Sequence, residues 1–255
     1  MSEFLRVETR GPVATLWIDR QPKMNTMTVA MRNEFPGIFR GLDADDAVRV
    51  IVVRGAGGKA FSAGGDLSEF LTLAPADLEQ WGDTLTAAER CRKPVIAAID
   101  GFSMGAGLEL AAACDFRIAT RRSEFAFPEV RLGMIPGSGG TQRALRLMGI
   151  TRGKLFIMTG RRIDGPTAEA WGLVTECVPD DGLDAAVNAL ANELAERPPL
   201  ALRTLKMVLD RGREAPLDTA LELERKAYAW LRSTHDYEEG VTSFLEKRPP
   251  KYLGR

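Results

Sequence analysis

The chain carries one histidine and three cysteines in 255 residues. Cys91, Cys114 and Cys177 stand far apart without a C-x-x-C spacing, and with His235 alone they cannot supply a usual zinc set, so no metal is expected. The three thiols read as reduced and buried, which points to a cytoplasmic protein. An excess of charge of one sign is also missing. The 34 Lys and Arg against 35 Asp and Glu leave a net charge of −1, so no overall field would collect nucleic acid or an anionic membrane, and neither is expected as a partner. Long apolar runs are absent too. Residues 1–10 alternate charged with apolar side chains, unlike a signal peptide, and the most apolar stretch, 94–114, is cut by Asp100, three glycines and Glu109, which rules out an uninterrupted membrane span. What remains is 45% apolar and 27% charged, ordinary for a globular chain. Against a typical domain of about 150 residues, the length fits one large domain or a core with an appended lobe.

Short β-branched runs at 13–18, 48–53 and 94–99 are expected as strands. Between the first two, Met31, Phe35, Ile38, Phe39 and Leu42 fall at helical spacing over 28–42. Thr28 can cap that helix, and Pro36 is expected to break or kink it. Residues 76–92 suit an amphipathic helix with Leu78, Trp81, Leu85 and Ala88 on one stripe. Two strands followed by a helix recur, which suggests a layered α/β unit. Beyond about residue 182 the pattern turns helical, over 183–194, 200–209, 217–231 and 237–245, the last opening on a capping-box-like Asp236 and Glu239. The turn at Arg197, Pro198 and Pro199 is the expected hinge, giving a core of 1–195 and a helical lobe of 196–255.

Glycine clusters flank these elements. Gly55-Ala56-Gly57-Gly58-Lys59-Ala60 fits a loose dinucleotide loop, but another glycine turn follows where a helix should open, so no helix dipole awaits a pyrophosphate. A P-loop is excluded because Ala60, not Ser or Thr, follows Gly58-Lys59. Gly101-Phe102-Ser103-Met104-Gly105 matches a G-x-S-x-G nucleophile elbow, with His235 downstream in the required order. A serine hydrolase built on Ser103 is therefore one reading, although no HGGG-type segment lies upstream, and a small turn residue is the plain alternative.

Several spaced segments taken together closely resemble the crotonase (enoyl-CoA hydratase/isomerase) family. They are Phe61-Ser62-Ala63-Gly64-Gly65-Asp66-Leu67, then Lys93-Pro94 through Asp100-Gly101, then Gly105-Ala106-Gly107-Leu108-Glu109-Leu110, then Phe127-Pro128-Glu129 and Gly133 through Thr141-Gln142-Arg143. The turn at 18–22 and the run from Glu239-Gly240 to Lys247-Arg248-Pro249 extend the likeness nearly end to end. The resemblance implies an α/β spiral of stacked β-β-α units with a C-terminal helical lobe used for trimerisation, as a homotrimer or a hexamer of two trimers. It also implies an acyl-CoA thioester substrate and no separate cofactor, coenzyme A entering as part of the substrate. The thioester carbonyl would lie against the backbone N–H groups of Gly65 and Ala106, where many relatives carry Ala and Gly respectively. Met24, Lys59, Ala63, Gly64, Asp66 and Leu67 would contact the substrate or its CoA, and Lys247 would reach into an adjacent subunit. An acyl pocket is expected from Leu67, Phe70, Leu71, Trp81, Leu85 and Met134.

Chemistry makes these positions sensible. Reaction at Cα or Cβ of a thioester builds enolate charge on the carbonyl oxygen, and fixed donors in a dry site stabilise that state more than the ground state. Glu109, three residues after Ala106, projects from the same helical face about 5 Å along the axis, and a carboxylate among alanines and leucines is either paired structurally or functional. Glu129 follows the apolar Phe125, Phe127 and Pro128, which favours its protonated form; alone it would read as a loop glutamate. Family members are distinguished by these two positions, and both match the hydratase pattern. The expected reaction is hydration of a trans-2-enoyl-CoA to a 3-hydroxyacyl-CoA by Glu109 and Glu129. The alternatives are a double-bond isomerase of the same family, the Ser103 hydrolase, and a non-catalytic binding protein.

Overall fold

The β-branched runs become the interior of a sheet covered on both faces. Val50, Val52, Ile96 and Ala98 pack to one side with Val187 and Ala191, while Ile51, Val53, Val95 and Ala97 pack to the other with Met31, Phe35 and Leu108. Strands buried on both faces lack polar alternation, which is why the sequence shows short continuous apolar runs there.

The computed structural model of the chain describes residues 2–79 and 81–255, with Trp81 by its backbone alone. The strands are β1 (Leu5–Arg10), β2 (Val13–Ile18), β3 (Val50–Gly55), β4 (Ala60–Ser62), β5 (Val95–Ile99), β6 (Phe102–Met104), β7 (Phe116–Thr120), β8 (Glu124–Ala126), β9 (Ile163–Asp164) and β10 (Glu176–Val178). The helices of the core are α1 (Val29–Ala44), α2 (Leu67–Phe70), α3 (Pro75–Glu79), α4 (Trp81–Leu85), α5 (Ala87–Arg90), α6 (Ala106–Ala113), α7 (Gly140–Met148), α8 (Ile150–Thr159), α9 (Gly165–Ala170) and α10 (Leu183–Ala195). After them come α11 (Pro199–Gly212), α12 (Leu217–Leu231) and α13 (His235–Glu246).

One sheet runs β1-β2-β3-β5-β7-β10, parallel except for the β1–β2 hairpin, and the smaller runs β4-β6-β8-β9 with its first three strands parallel. Each winding of the chain therefore lays one strand in each sheet, β3 then β4, β5 then β6, β7 then β8. Stacking these windings produces the spiral. The windings touch at backbone level: Gly101, at φ +73°, turns β5 into β6 where a Cβ would collide with the Lys59 carbonyl. The result is an α/β core with a C-terminal helical region.

Two local expectations change. Helix α1 runs unbroken through Pro36, capped by Thr28 Oγ1, which accepts from the Met31 N–H at 3.2 Å. A mid-helix proline costs about 3 kcal/mol, whereas burying Met31, Phe35, Phe39 and Leu42 gains roughly 1.5–3 kcal/mol each, so burial wins. The stretch expected as one helix over 76–92 is helical on either side of Gln80 but irregular at Thr86, whose hydroxyl donates to the Gly82 carbonyl. Cys91 and Cys114 are buried, with burial pushing their thiols up to about 11 and about 12, whereas Cys177 is only half-buried.

The C-terminal helical region continues with α11 after the Pro198-Pro199 turn. Lys206 of α11 donates to Asp115 Oδ2 at 2.7 Å and to the Lys93 carbonyl at 3.2 Å, and Arg49 donates to the Tyr252 carbonyl at 2.8 Å. These bonds tie the lobe to the core. The cap of α13 is Thr234, not Asp236. The Asp236 carboxylate instead accepts the N–H groups of Leu253 and Gly254, and Glu239 accepts from Arg248 and the Lys251 N–H. Among the described residues no helix is long and apolar enough to cross a membrane.

Candidate active site

Strands β4, β6 and β8 are parallel neighbours, so their C-terminal ends share one edge. Each end carries one part of the site, beside a cavity of about 380 Å3 lined by Gly64, Gly65, Gly105, Ala106, Glu109 and Glu129 among others.

The turn after β4 is held from below. The Ala63 N–H donates to the Met24 carbonyl at 2.9 Å, the Met27 N–H to the Gly64 carbonyl at 2.8 Å, and the Asp66 N–H to the Met27 carbonyl at 3.0 Å. Asp66 caps α2 through Ser68 and accepts from Arg20 Nη1 at 2.7 Å. The Ser68 hydroxyl first, and Arg20 after it, bring the Asp66 carboxyl down to about 2. Among the described residues, the Gly65 N–H between these anchors meets no protein acceptor.

After β6 the chain turns through Gly105 at φ +50° and ψ −125°, a conformation that a side chain would strain. A Cβ there would also stand 2.9 Å from Glu129 Oε1. Helix α6 opens at Ala106, whose N–H is one of the unpaired amides of a first turn. Every residue of α6 is buried.

Glu109, one turn into α6, is 2% exposed. Its Oε1 accepts the Ser138 N–H at 2.6 Å and the Gly140 N–H at 2.9 Å, the latter at the start of α7. Burial raises its pKa, and the two N–H groups oppose the rise. Glu129 follows β8 in the 3-10 turn Pro128–Leu132. Its Oε2 is buried with no hydrogen-bond partner. Burial, and the charge of Glu109, push its carboxyl up to about 7. Two carboxyls that feel each other this way titrate as a pair.

Of the expected apolar lining, Leu67, Phe70 and Met134 face the cavity. Leu71, just past the end of α2, is 94% exposed, and Leu85, at the end of α4, is sealed in the core at 2%; the Trp81 side chain lies outside the described residues. Leu78, Leu132 and Ile135 line the cavity as well. Leu132 and Ile135 flank Met134 in the glycine-rich segment, and that position was the available signal for them. Lys23 and Thr26 also reach the cavity from the turn beside Met24. Lys59 is exposed ahead of β4, and Lys247 is an exposed left-handed residue ending α13; neither lines the cavity within this chain. Ser138 and Gly140 went unrecognised as donors to Glu109, since an N–H contact across about 30 residues leaves no periodic trace.

The Ser103 reading fails on placement. Ser103 lies inside β6 rather than on the turn and is fully buried, while His235 opens α13 and lines a separate hollow.

The family model for enoyl-CoA hydratase/isomerase matches residues 8–255. Among curated relatives, the chain is 35% identical over 246 residues to the short-chain-enoyl-CoA hydratase of Clostridium acetobutylicum, covering 95% of this chain and 94% of that protein. It is 34% identical to the crotonyl-CoA hydratase of Syntrophomonas wolfei, over 99% of each. The crystal structure of an enoyl-CoA hydratase from Bacillus anthracis superposes with a TM-score of 0.94 at 35% identity, covering 99% of this chain and 100% of that one. With a match running from the first strand through the helical lobe, the chain belongs to the enoyl-CoA hydratase/isomerase family.

Proposed function

We propose that this cavity hydrates a trans-2-enoyl-CoA thioester to a 3-hydroxyacyl-CoA. The observation that supports the reading is the convergence of two carboxyls, Glu109 and Glu129, on a cavity also lined by Gly65 and Ala106, whose N–H groups meet no protein acceptor among the described residues. The thioester oxygen accepts from those two N–H groups, which stabilise it as it gains enolate charge. A water held between the carboxyls attacks Cβ, giving a proton to Glu109 as the new C–O bond forms and the double-bond electrons move toward the carbonyl. Glu129, protonated near neutrality, delivers its proton to Cα. The next water to bind between the two groups returns a proton from Glu109 to Glu129.

Leu67, Phe70 and Met134 would enclose the acyl group, while Met24, Lys59, Ala63, Gly64 and Asp66 would meet the CoA side, with Lys247 serving an adjacent subunit. Support for that assembly comes from the lobe, where Trp230 is 51% exposed, Leu245 74% and Phe244 81%. A homotrimer or a pair of trimers would cover them. Sedimentation at micromolar concentration is expected to show such an assembly; a stable monomer would contradict it.

Crotonyl-CoA tests the activity. Loss of the conjugated enoyl absorbance with formation of 3-hydroxybutyryl-CoA is expected. Interconversion of 3-enoyl and 2-enoyl thioesters without hydration would replace the reading with an isomerase, and covalent fluorophosphonate labelling of Ser103 would replace it with a hydrolase.

A further inference from the structure

Behind Glu109 the glycine-rich segment separates two cavities. Ser138 lines the small one described above and also a cleft of about 840 Å3 between α7 and α11. Its N–H faces forward to the Glu109 carboxylate, whereas its carbonyl faces back and accepts from Arg143 Nη1 at 2.9 Å. The peptide gripped by Arg143 therefore lies between the two N–H groups, of Ser138 and Gly140, that hold Glu109.

Arg143 is itself gripped. Its Nη2 donates to Glu89 Oε2 at 2.5 Å and to Thr86 Oγ1 at 3.2 Å, and its side chain is 11% exposed. The guanidinium folds back across Gly139, at φ +99°, over the space a Cβ would fill. The other Glu89 oxygen pairs with Arg213 Nη2 at 3.2 Å, just past the end of α11. A segment reading Gly137-Ser138-Gly139-Gly140, three glycines in four residues, has more backbone freedom to lose than ordinary chain, so a clamp at its centre decides where both N–H groups point.

We propose that Arg143, braced by Glu89, is a positioning residue for Glu109: it fixes the segment that carries the two donors and places a cation behind the carboxylate. The inference rests on the hydratase reading for its kinetic consequences, but not for its structural ones. The charged groups around Glu109 are Glu129 across the cavity, which Lys23 and the Arg20-paired Asp66 also line, and Arg143 behind the segment, with Glu89 of α5 and Arg213 beyond α11 acting on Arg143. Asp83 of α4 is turned away to Arg90, and the Cys114 thiol on α6 stays neutral.

The test combines kinetics with titration of the Glu109 carboxyl by 13C NMR in the ligand-free protein, after thermal unfolding has shown each variant to be folded. Arg143→Met should lower kcat by roughly 10²-fold with little change in KM, as misplacement of a reacting group does. It should also move the Glu109 titration, and the acidic limb of the kcat profile, to higher pH, since an ionised carboxylate loses its cation. Arg143→Lys keeps the charge but not the forked bonding, so it should lower kcat by about tenfold while leaving the titration close to wild type. Glu89→Gln should move the titration the opposite way from Arg143→Met, because it leaves the cation uncompensated. In a Glu109→Gln background, Arg143→Met should cost nothing further. Equal losses in both backgrounds with an unmoved Glu109 titration would overturn the proposal and leave Arg143 a packing residue. A wild-type protein inactive on every enoyl-CoA would overturn the hydratase reading instead, and the titration would still decide the role of Arg143.

Discussion

Glu109→Gln and Glu129→Gln should each bind an acyl-CoA normally and hydrate it about 10²- to 10⁴-fold more slowly, the usual range for a positioned acid or base. The amide matches the carboxyl in shape, and the Gly65 and Ala106 donors are untouched, so the loss should fall on kcat. The double variant should be little worse than either single one, because the two groups serve one water and act as a unit. Exchange of the Cα proton with solvent in a saturated acyl-CoA separates the roles: it should persist better in Glu109→Gln than in Glu129→Gln. Near-normal hydration by Glu109→Gln, with double-bond migration dominant, would make the enzyme an isomerase.

The same Glu129→Gln change should make the protein more stable at pH 8. Glu129 is pushed from 4.5 in the open chain up to about 7 by burial and by Glu109. The folded state then holds a proton that the unfolded state releases between those values, so stability is fullest below 4.5 and falls as the pH rises to about 7. The loss at pH 8 is at most about 3 kcal/mol, reduced by whatever solvent screens the partly exposed carboxyl. Glutamine carries no charge at any pH and escapes it. Urea unfolding should show wild type and variant converging near pH 4, separating between about 4.5 and 7 and staying apart above that, with a melting temperature roughly 5–10 °C higher for the variant at pH 8. A variant less stable than wild type at pH 8 would mean that the Glu129 carboxylate is better solvated or partnered than its orphaned Oε2 implies.

Local pattern made some elements legible. Residues 217–231 were expected as a helix from spacing alone, and α12 spans them. Glu109 stood out because a charge among Leu108, Leu110 and three alanines has no solvent face. Pro36 misled because propensity is local while the burial of Phe35 and Phe39 is tertiary. Leu85 misled for a related reason: it is sealed in the core beside Ala88, while Leu78 of the same expected stripe lines the cavity. Thr234 takes the cap while Asp236 serves the backbone at Leu253 and Gly254, a contact between distant segments that a capping pattern cannot register. The grip of Ser138 and Gly140 on Glu109, and of Arg143 on Ser138, leaves no sequence pattern for the same cause.

The shared edge of β4, β6 and β8 divides the labour of the site among interchangeable sockets, stepped by the roughly 4.8 Å between strands. The first two offer main-chain groups, the second adding Glu109 one turn further on, and in the proposed reading those main-chain groups would address the part of the ligand common to every thioester. The third offers a side chain on a turn that makes no strand pairing beyond Ala126. On the same reading, substitutions at the third socket would redirect attack to another carbon while recognition of the carbonyl survives, whereas a clash at Gly105 would disable every chemistry at once. Such a scaffold can change its reaction in small heritable steps without first surrendering its ligand.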